Sequence, residues 1–142
     1  PEEDRHLYSK SKFESELCAM LGGYVTEEIF FGQVTTGPSN DLERTTAMAR
    51  RMVIEFGMSD LGPVTYGEKN HEVFIGRDIG HSKNYSEKTA YEIDLRVSNL
   101  IHEAYKKTFK IVKENKALIT KISLDLLEKE NIGRDEFESY FK

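Results

Sequence analysis

The histidines are the first residues to test for chemistry, because many protein metal sites use imidazole ligands. The 142-residue chain has four of them, His6, His71, His81 and His102. His102-Glu103 begins like H-E-x-x-H, a motif in which two histidines one helical turn apart bind zinc and the glutamate activates water. Position 106 is a lysine, so the second ligand is missing. We therefore interpret His102 and Glu103 as a surface pair.

Other catalytic chemistries lack support in this sequence. His71 and His81 lie ten residues apart in an irregular stretch, where histidines are usually solvated. There is no G-x-S-x-G motif, no phosphate-binding loop and no Cys-His arrangement. We expect no catalytic and no cofactor-binding residue in this chain. The single cysteine, Cys18, excludes an internal disulfide and, beside Leu17, is interpreted as a core residue.

Composition narrows the class of protein. The net charge is −5, which argues against nucleic acid as a partner because phosphate binding needs a concentrated positive face. Hydrophobic residues make up 38% and charged residues 32%, and the apolar runs are too short to span a bilayer. We expect one soluble domain without membrane contact of its own. The chain starts at Pro1 rather than Met, so we interpret it as a piece of a longer protein.

Two helices are predicted in the first sixty residues. Apolar residues at helical spacing indicate a first helix from about Ser9 to Phe31, with a capping box of Ser11 and Glu14 near its start. The glycines at 22 and 23 suggest either a close approach of another helix or a break.

A second helix is predicted after Pro38. Ser39 or Asn40 would cap it, and Gly57 would end it. Asp41 then lies in the first turn, where a carboxylate interacts favourably with the helix dipole. Without further information this is only a common helix-start acid.

The remainder is predicted to be a long loop followed by more helices. Periodicity fails over about 58–85, although 73–75 could form a short strand. Ser86 opens a third helix that continues to about Glu114, and Asn115 would cap a fourth. Leu118, Ile122, Leu126 and Leu127 would face inward on this fourth helix. Gly133 precedes a last short helix with Phe137 and Phe141. The predicted fold is all-α, a helical bundle of about four to five helices with one long irregular loop.

Three motifs occur in order along the first half of the chain. They are Gly22-Gly-Tyr-Val-Thr-Glu-Glu-Ile29, Thr36-Gly-Pro-Ser-Asn-Asp-Leu42 and Gly57-Met-Ser-Asp-Leu-Gly-Pro63. Together they resemble the FtsH family of membrane-anchored, ATP-dependent AAA+ zinc metalloproteases. The resemblance continues through Val73-Phe-Ile-Gly-Arg77 and Ser86-Glu-Lys-Thr-Ala90 to Asp94, and weakens after the third helix.

The resemblance implies a role for two acidic residues. In the family the aspartate of Ser-Asn-Asp is the third protein ligand of zinc, which corresponds to Asp41. Glu27 corresponds to an acid that orients one of the zinc histidines through its other ring nitrogen; its alternative is an exposed helix carboxylate. Pro38 stands where the family usually has alanine.

The resemblance also implies what lies elsewhere. Residues 1–142 would be the C-terminal helical part of the protease domain, without the H-E-x-x-H helix, the AAA+ module that uses ATP and the membrane anchor. This chain alone should be inactive and should bind Zn²⁺ weakly or not at all. The parent protein would be a homohexamer that degrades protein substrates at a bacterial inner membrane, on its cytoplasmic face, or at an organellar membrane.

Two alternatives remain open at this point. The chain could be a helical interaction module that kept the fold and lost the zinc chemistry. The loop at about 58–85 could also be a docking site for a substrate or adaptor, which its length alone suggests.

Overall fold

Five helices account for most of the described chain. The computed structural model describes residues 7–69 and 81–142. The helices are α1 (Lys10–Phe31), α2 (Ser39–Ile54), α3 (Glu87–Glu114), α4 (Lys116–Lys129) and α5 (Arg134–Ser139). Two short strands, β1 (Glu68–Lys69) and β2 (His81–Ser82), pair antiparallel inside the predicted loop. The prediction of an all-α bundle with four to five helices is confirmed.

The core lies between α1, α2 and α3, each of which packs against the other two. Leu17 and Leu21 of α1, Met52 of α2 and Ile93 of α3 are almost completely buried. Burying a side chain of this size contributes about 1.5–3 kcal/mol. This three-helix packing fixes the orientation of α1 relative to α2, the two helices that carry Glu27 and Asp41.

The first helix begins earlier than its predicted capping box. Ser9 is the N-cap, with an extended backbone, and its hydroxyl accepts a hydrogen bond from Lys12 N at 3.1 Å. The prediction of Ser11 as the cap was wrong, because Ser11 already lies within the helix and its hydroxyl bonds that of Ser9 at 2.9 Å.

The two glycines at 22 and 23 do not interrupt α1. The helix continues through both, so the predicted break was wrong. A methyl group placed on either glycine would meet no atom within 4 Å, so no described segment approaches the helix closely there.

The second helix is capped by an unexpected residue. Pro38 is the N-cap of α2, with φ −79° and no side-chain hydrogen bond to the helix, and its carbonyl accepts from Leu42 N at 3.0 Å. The prediction of Ser39 or Asn40 as the cap was wrong, since both are already helical. The predicted place of Asp41 in the first turn is confirmed.

The segment after α2 is irregular but anchored. Met58, Leu61 and Tyr66 pack against the core, and Asp60 accepts a hydrogen bond from Arg96 Nε of α3 at 2.7 Å. This bond to Arg96 holds the pKa of Asp60 below its usual value. The possible strand at 73–75 and His71 lie outside the described residues.

The N-terminal caps of α3 and α4 can be compared with the predicted residues. Ser86 caps α3 as predicted, accepting from Thr89 N at 3.1 Å. Asn115 is the N-cap residue of α4, as predicted, but it makes no side-chain cap bond to that helix. Its side-chain amide donates instead to Ile111 O at 2.8 Å, at the end of α3.

The fourth helix buries less than its pattern predicts. Leu118 and Ile122 are half-buried, but Leu126 is 42% and Leu127 80% exposed, so the inward prediction was wrong for these two. In the last segment Phe137 is also largely exposed, at 46%. Within the described ranges, no helix combines the length and the apolar character needed to cross a membrane.

Candidate functional site

Asp41 presents an accessible carboxylate at the start of α2. Its side chain is 44% exposed, and its Oδ1 lies 3.6 Å from Arg44 Nη1, one turn further along the same helix. Its backbone carbonyl accepts a hydrogen bond from Thr45 Oγ1 at 2.6 Å, and Thr45 is buried. The backbone of Asp41 is therefore tied into the core side of the helix, while the carboxylate remains open to a ligand.

Glu27 binds the connector that leads to Asp41. Its Oε2 accepts from the backbone N–H of Thr35 at 2.9 Å, and its Oε1 accepts from Thr35 Oγ1 at 2.8 Å. Both oxygens of the carboxylate thus accept hydrogen bonds from one residue, eight positions further along the chain. Hydrogen bonds to an ionised carboxylate are stronger than those between neutral groups.

Gly37 lies directly against this pair. Its N–H donates to Thr35 Oγ1 at 3.1 Å. A methyl group at position 37 would come within 3.2 Å of Thr35 Oγ1 and 3.3 Å of Glu27 Oε1. Glycine at 37 therefore allows the backbone to approach the two side chains closely.

The neighbouring acid, Glu28, links α1 to α3. Its Oε2 accepts a hydrogen bond from Tyr105 Oη at 2.6 Å. This bond, with partial burial, raises the pKa of Tyr105 to about 12. Tyr105 also lines an open cleft of about 600 Å³, as do Tyr24 of α1 and Leu42, the residue after Asp41.

The described residues supply one donor for a metal rather than a complete site. Catalytic zinc sites use three protein ligands and keep one position for water. Among residues 7–69 and 81–142, no three side chains of His, Cys, Asp or Glu are grouped closely enough to hold a metal ion. Asp41 can act as one carboxylate ligand, and the described residues do not complete a set of three around it.

The pair His102 and Glu103 lies on α3, where His102 lines the same cleft as Tyr24 and Leu42 and stacks on the Tyr105 ring, with 6.3 Å between the ring centroids. Both residues are exposed on α3, and Glu103 accepts from Lys106 Nζ at 3.0 Å, an interaction that lowers the pKa of Glu103. Lys106, which stands in place of the second histidine, thus forms an ion pair with Glu103. The interpretation as a surface pair is confirmed. His6 lies outside the described residues.

Comparison with known proteins identifies the family. The sequence model of peptidase family M41 matches residues 1–140. The chain belongs to peptidase family M41. The resemblance proposed from the three ordered motifs is confirmed.

Several proteins named ATP-dependent zinc metalloprotease FtsH are similar to this chain over nearly all of its length. The ATP-dependent zinc metalloprotease FtsH of Acidobacterium capsulatum is 45% identical over 136 residues, which cover 96% of this chain and 21% of that protein. FtsH 1 of Thermoanaerobacter sp. (strain X514) is 46% identical over 142 residues, covering 99% of this chain and 23% of that protein. FtsH of Kosmotoga olearia is 47% identical over 137 residues, covering 96% and 21%. The chain thus spans about a fifth of the length of these M41 relatives.

Thr35 was missed by the sequence analysis of this M41 chain. Its partner Glu27 lies on a helix and Thr35 lies in a connector, so neither helical nor strand periodicity relates the two residues. The signal available was local. A β-branched hydroxyl residue two positions before a glycine can bond the backbone of the turn, as Thr35 does with Gly37 N.

Proposed function

We propose that residues 1–142 form the C-terminal helical part of the peptidase domain of an ATP-dependent zinc metallopeptidase. In this proposal Asp41 is the third protein ligand of the catalytic zinc. The observation that carries it is the place of Asp41, in the first turn of α2 with an accessible carboxylate, within a chain of the M41 family. The zinc metalloprotease names of the relatives support it.

The local chemistry of Asp41 suits this part. The Arg44 guanidinium is 64% exposed and lies 3.6 Å from the Asp41 carboxylate, so the pair is weak and solvent-screened. A metal ion can displace such a partner at little cost. When bound, zinc supplies Lewis acidity that activates water and polarises a carbonyl. The remaining two ligands would be histidines of an H-E-x-x-H helix upstream of this chain, and Glu27 would orient one of them.

The proposal for the whole protein rests on the names of the relatives more than on the geometry of this chain. Their names support peptide-bond hydrolysis driven by ATP, hence protein substrates and a separate nucleotide-binding module. We propose in addition a homohexamer anchored in a membrane, with the peptidase part in the bacterial cytoplasm or an organellar compartment. No residue of this chain is assigned to ATP.

The test compares two acids of α2 in the full-length protein. Asp41→Ala should abolish tight zinc binding and proteolysis of an unfolded protein substrate, because one of three ligands is lost. Glu43→Ala is the matched control, since Glu43 is exposed on the same helix two residues further on. Zinc content after dialysis against a chelator and the rate of substrate cleavage are the two measurements.

The same experiment separates the proposal from the alternative of a non-catalytic helical module. If the unaltered full-length protein binds no zinc, or if no H-E-x-x-H precedes this chain in it, the module is the better description. Equal zinc content in Asp41→Ala and Glu43→Ala would remove Asp41 from the site.

A further inference from the structure

We infer that Thr35 is a positioning residue for Asp41, acting through Glu27 and the connector between α1 and α2. The inference rests on the proposed function of Asp41 as a zinc ligand. It assigns a role to a residue that neither the sequence motifs nor the helical pattern singles out. Thr35 does not touch the metal in this scheme.

Glu27 is a fixed point from which the connector can be held. It lies on α1 between Val25, which is fully buried, and the half-buried Glu28, whose carboxylate is bonded to Tyr105 of α3. Side chains on both sides of Glu27 thus tie α1 to the rest of the bundle. The carboxylate of Glu27 then accepts both the N–H and the Oγ1–H of Thr35.

Three overlapping hydrogen bonds cover the chain from Thr35 to the first turn of α2. Thr35 Oγ1 accepts from Gly37 N at 3.1 Å, Thr36 O accepts from Ser39 N at 3.1 Å, and Pro38 O accepts from Leu42 N at 3.0 Å. Pro38 is buried, although every other residue from Phe31 to Asn40 is exposed. The connector is therefore held at two places, by the hydrogen bonds of Thr35 to Glu27 and by the burial of Pro38.

The side-chain hydroxyl of Thr35 makes two hydrogen bonds that the backbone of Thr35 cannot make. It donates to Glu27 and accepts from Gly37 N, and so joins the helix to the far side of the turn. Removing it leaves the Gly37 N–H without its partner and Glu27 Oε1 without its shortest contact. The start of α2 can then shift relative to Glu27.

Small shifts of a ligand matter because metal sites require the ligand geometry to be held within about 0.5 Å. Residues that orient metal ligands without touching the metal typically change metal affinity or activity by about 10–100-fold when altered. We expect an effect of this size for loss of the Thr35 hydroxyl, smaller than the effect of losing Asp41 itself.

The experiment uses the full-length protein and four variants. Thr35→Val removes the hydroxyl with little change in shape, Thr35→Ser retains it, and Thr36→Val makes the same substitution at the adjacent exposed threonine, whose side chain has no described hydrogen bond. Asp41→Ala is the ligand control. Zinc affinity is measured by competition with a chromophoric chelator, and the visible absorption of the Co²⁺-substituted protein reports coordination geometry.

The expected pattern is specific to positioning. Zinc affinity falls about 10–100-fold in Thr35→Val, remains close to the unaltered value in Thr35→Ser, and does not change in Thr36→Val. The Co²⁺ spectrum changes only in Thr35→Val and Asp41→Ala. Gly37→Ala, which presses on Thr35 Oγ1 and Glu27 Oε1 without removing a polar group, provides a second variant if Thr35→Val does not fold.

The outcomes distinguish the two proposals. If Asp41→Ala leaves zinc affinity unchanged, the proposed function of Asp41 is wrong. If Asp41→Ala abolishes binding but Thr35→Val or Gly37→Ala behaves like Thr36→Val, only the inference about Thr35 is overturned. A lower melting temperature of Thr35→Val with unchanged zinc affinity and Co²⁺ spectrum would also overturn it, since that describes a purely structural role.

Discussion

Asp41 has two separable contributions, one to helix α2 and one to the proposed metal site. As an acid in the first turn it interacts with the helix dipole, an effect of about 0.3–1 kcal/mol at an exposed position. Its ion pair with Arg44 is exposed and adds little. As a ligand it would account for one of three bonds from the protein to zinc, and loss of a ligand has far larger effects on metal affinity.

The small contribution of Asp41 to folding leads to a prediction. Asp41→Asn should lower the free energy of unfolding of the 142-residue chain by only about 0.5 kcal/mol, because the dipole interaction weakens while the shape is kept. Urea denaturation measures this, with Glu43→Gln as the control at an exposed acid outside the first turn. A loss above about 2 kcal/mol would mean that Asp41 is mainly structural.

Helices α1 and α3 are joined by a hydrogen bond whose strength depends on pH. Glu28 and partial burial raise the pKa of Tyr105 to about 12. The folded chain therefore holds the phenolic proton more tightly than the unfolded chain, in which the pKa is about 10. The stabilisation from this bond is complete below about pH 10 and is lost as the pH rises towards 12.

Replacing Tyr105 should remove the pH-dependent contribution of this hydrogen bond to the free energy of unfolding. We expect Tyr105→Phe to be less stable than the unaltered chain at neutral pH, and the difference should shrink as the pH rises from about 10 to 12. Tyr91→Phe is the control, since Tyr91 on the same helix is 63% exposed. The free energies of unfolding are measured by urea denaturation at each pH; a difference that stays constant over this range contradicts the prediction.

The glycines of α1 and of the connector should respond oppositely to alanine. Gly23 is exposed in the helix interior with no atom within 4 Å of an added methyl group, so Gly23→Ala should raise the free energy of unfolding by about 0.5–1 kcal/mol. Gly37→Ala should lower it, because the methyl group would lie 3.2 Å from Thr35 Oγ1. Urea denaturation of both variants is the measurement. If Gly23→Ala lowers the free energy of unfolding, helix propensity does not determine the effect of this substitution.

Sequence patterns predicted which segments are helical, because helical spacing reflects burial along one face. They placed Asp41 correctly in the first turn of α2. They also predicted Ser86 and Asn115 as the N-caps of α3 and α4. They failed at the first two caps, where Ser9 stands instead of Ser11 and Pro38 instead of Ser39 or Asn40, because several neighbouring residues have suitable cap chemistry and tertiary packing decides among them. The bond from Glu27 to Thr35 depends on how the connector folds back on α1, which no local pattern specifies.

Over the whole molecule, stability is concentrated in three of the five described helices. The buried side chains of the main cluster belong to α1, α2 and α3, whereas α4 and α5 have no buried residue. Helix α4 packs against α3, and its Lys116 Nζ lies 5.4 Å from the centroid of the Phe30 ring of α1. Its leucines repeat with a helical period, but a period shows only that one face is apolar and not that a partner covers it.

Two leucine substitutions separate these regions. Leu17 is fully buried where α1 meets the core, so Leu17→Ala should lower the free energy of unfolding by about 2–5 kcal/mol, from lost burial and the cavity left behind. Leu127 of α4 is 80% exposed, so the same substitution there should change it by no more than about 0.5 kcal/mol. Urea denaturation of the 142-residue chain, followed by circular dichroism, measures both. Comparable losses in the two variants would show that α4 belongs to the cooperative core in solution, and that Leu127 has a partner there.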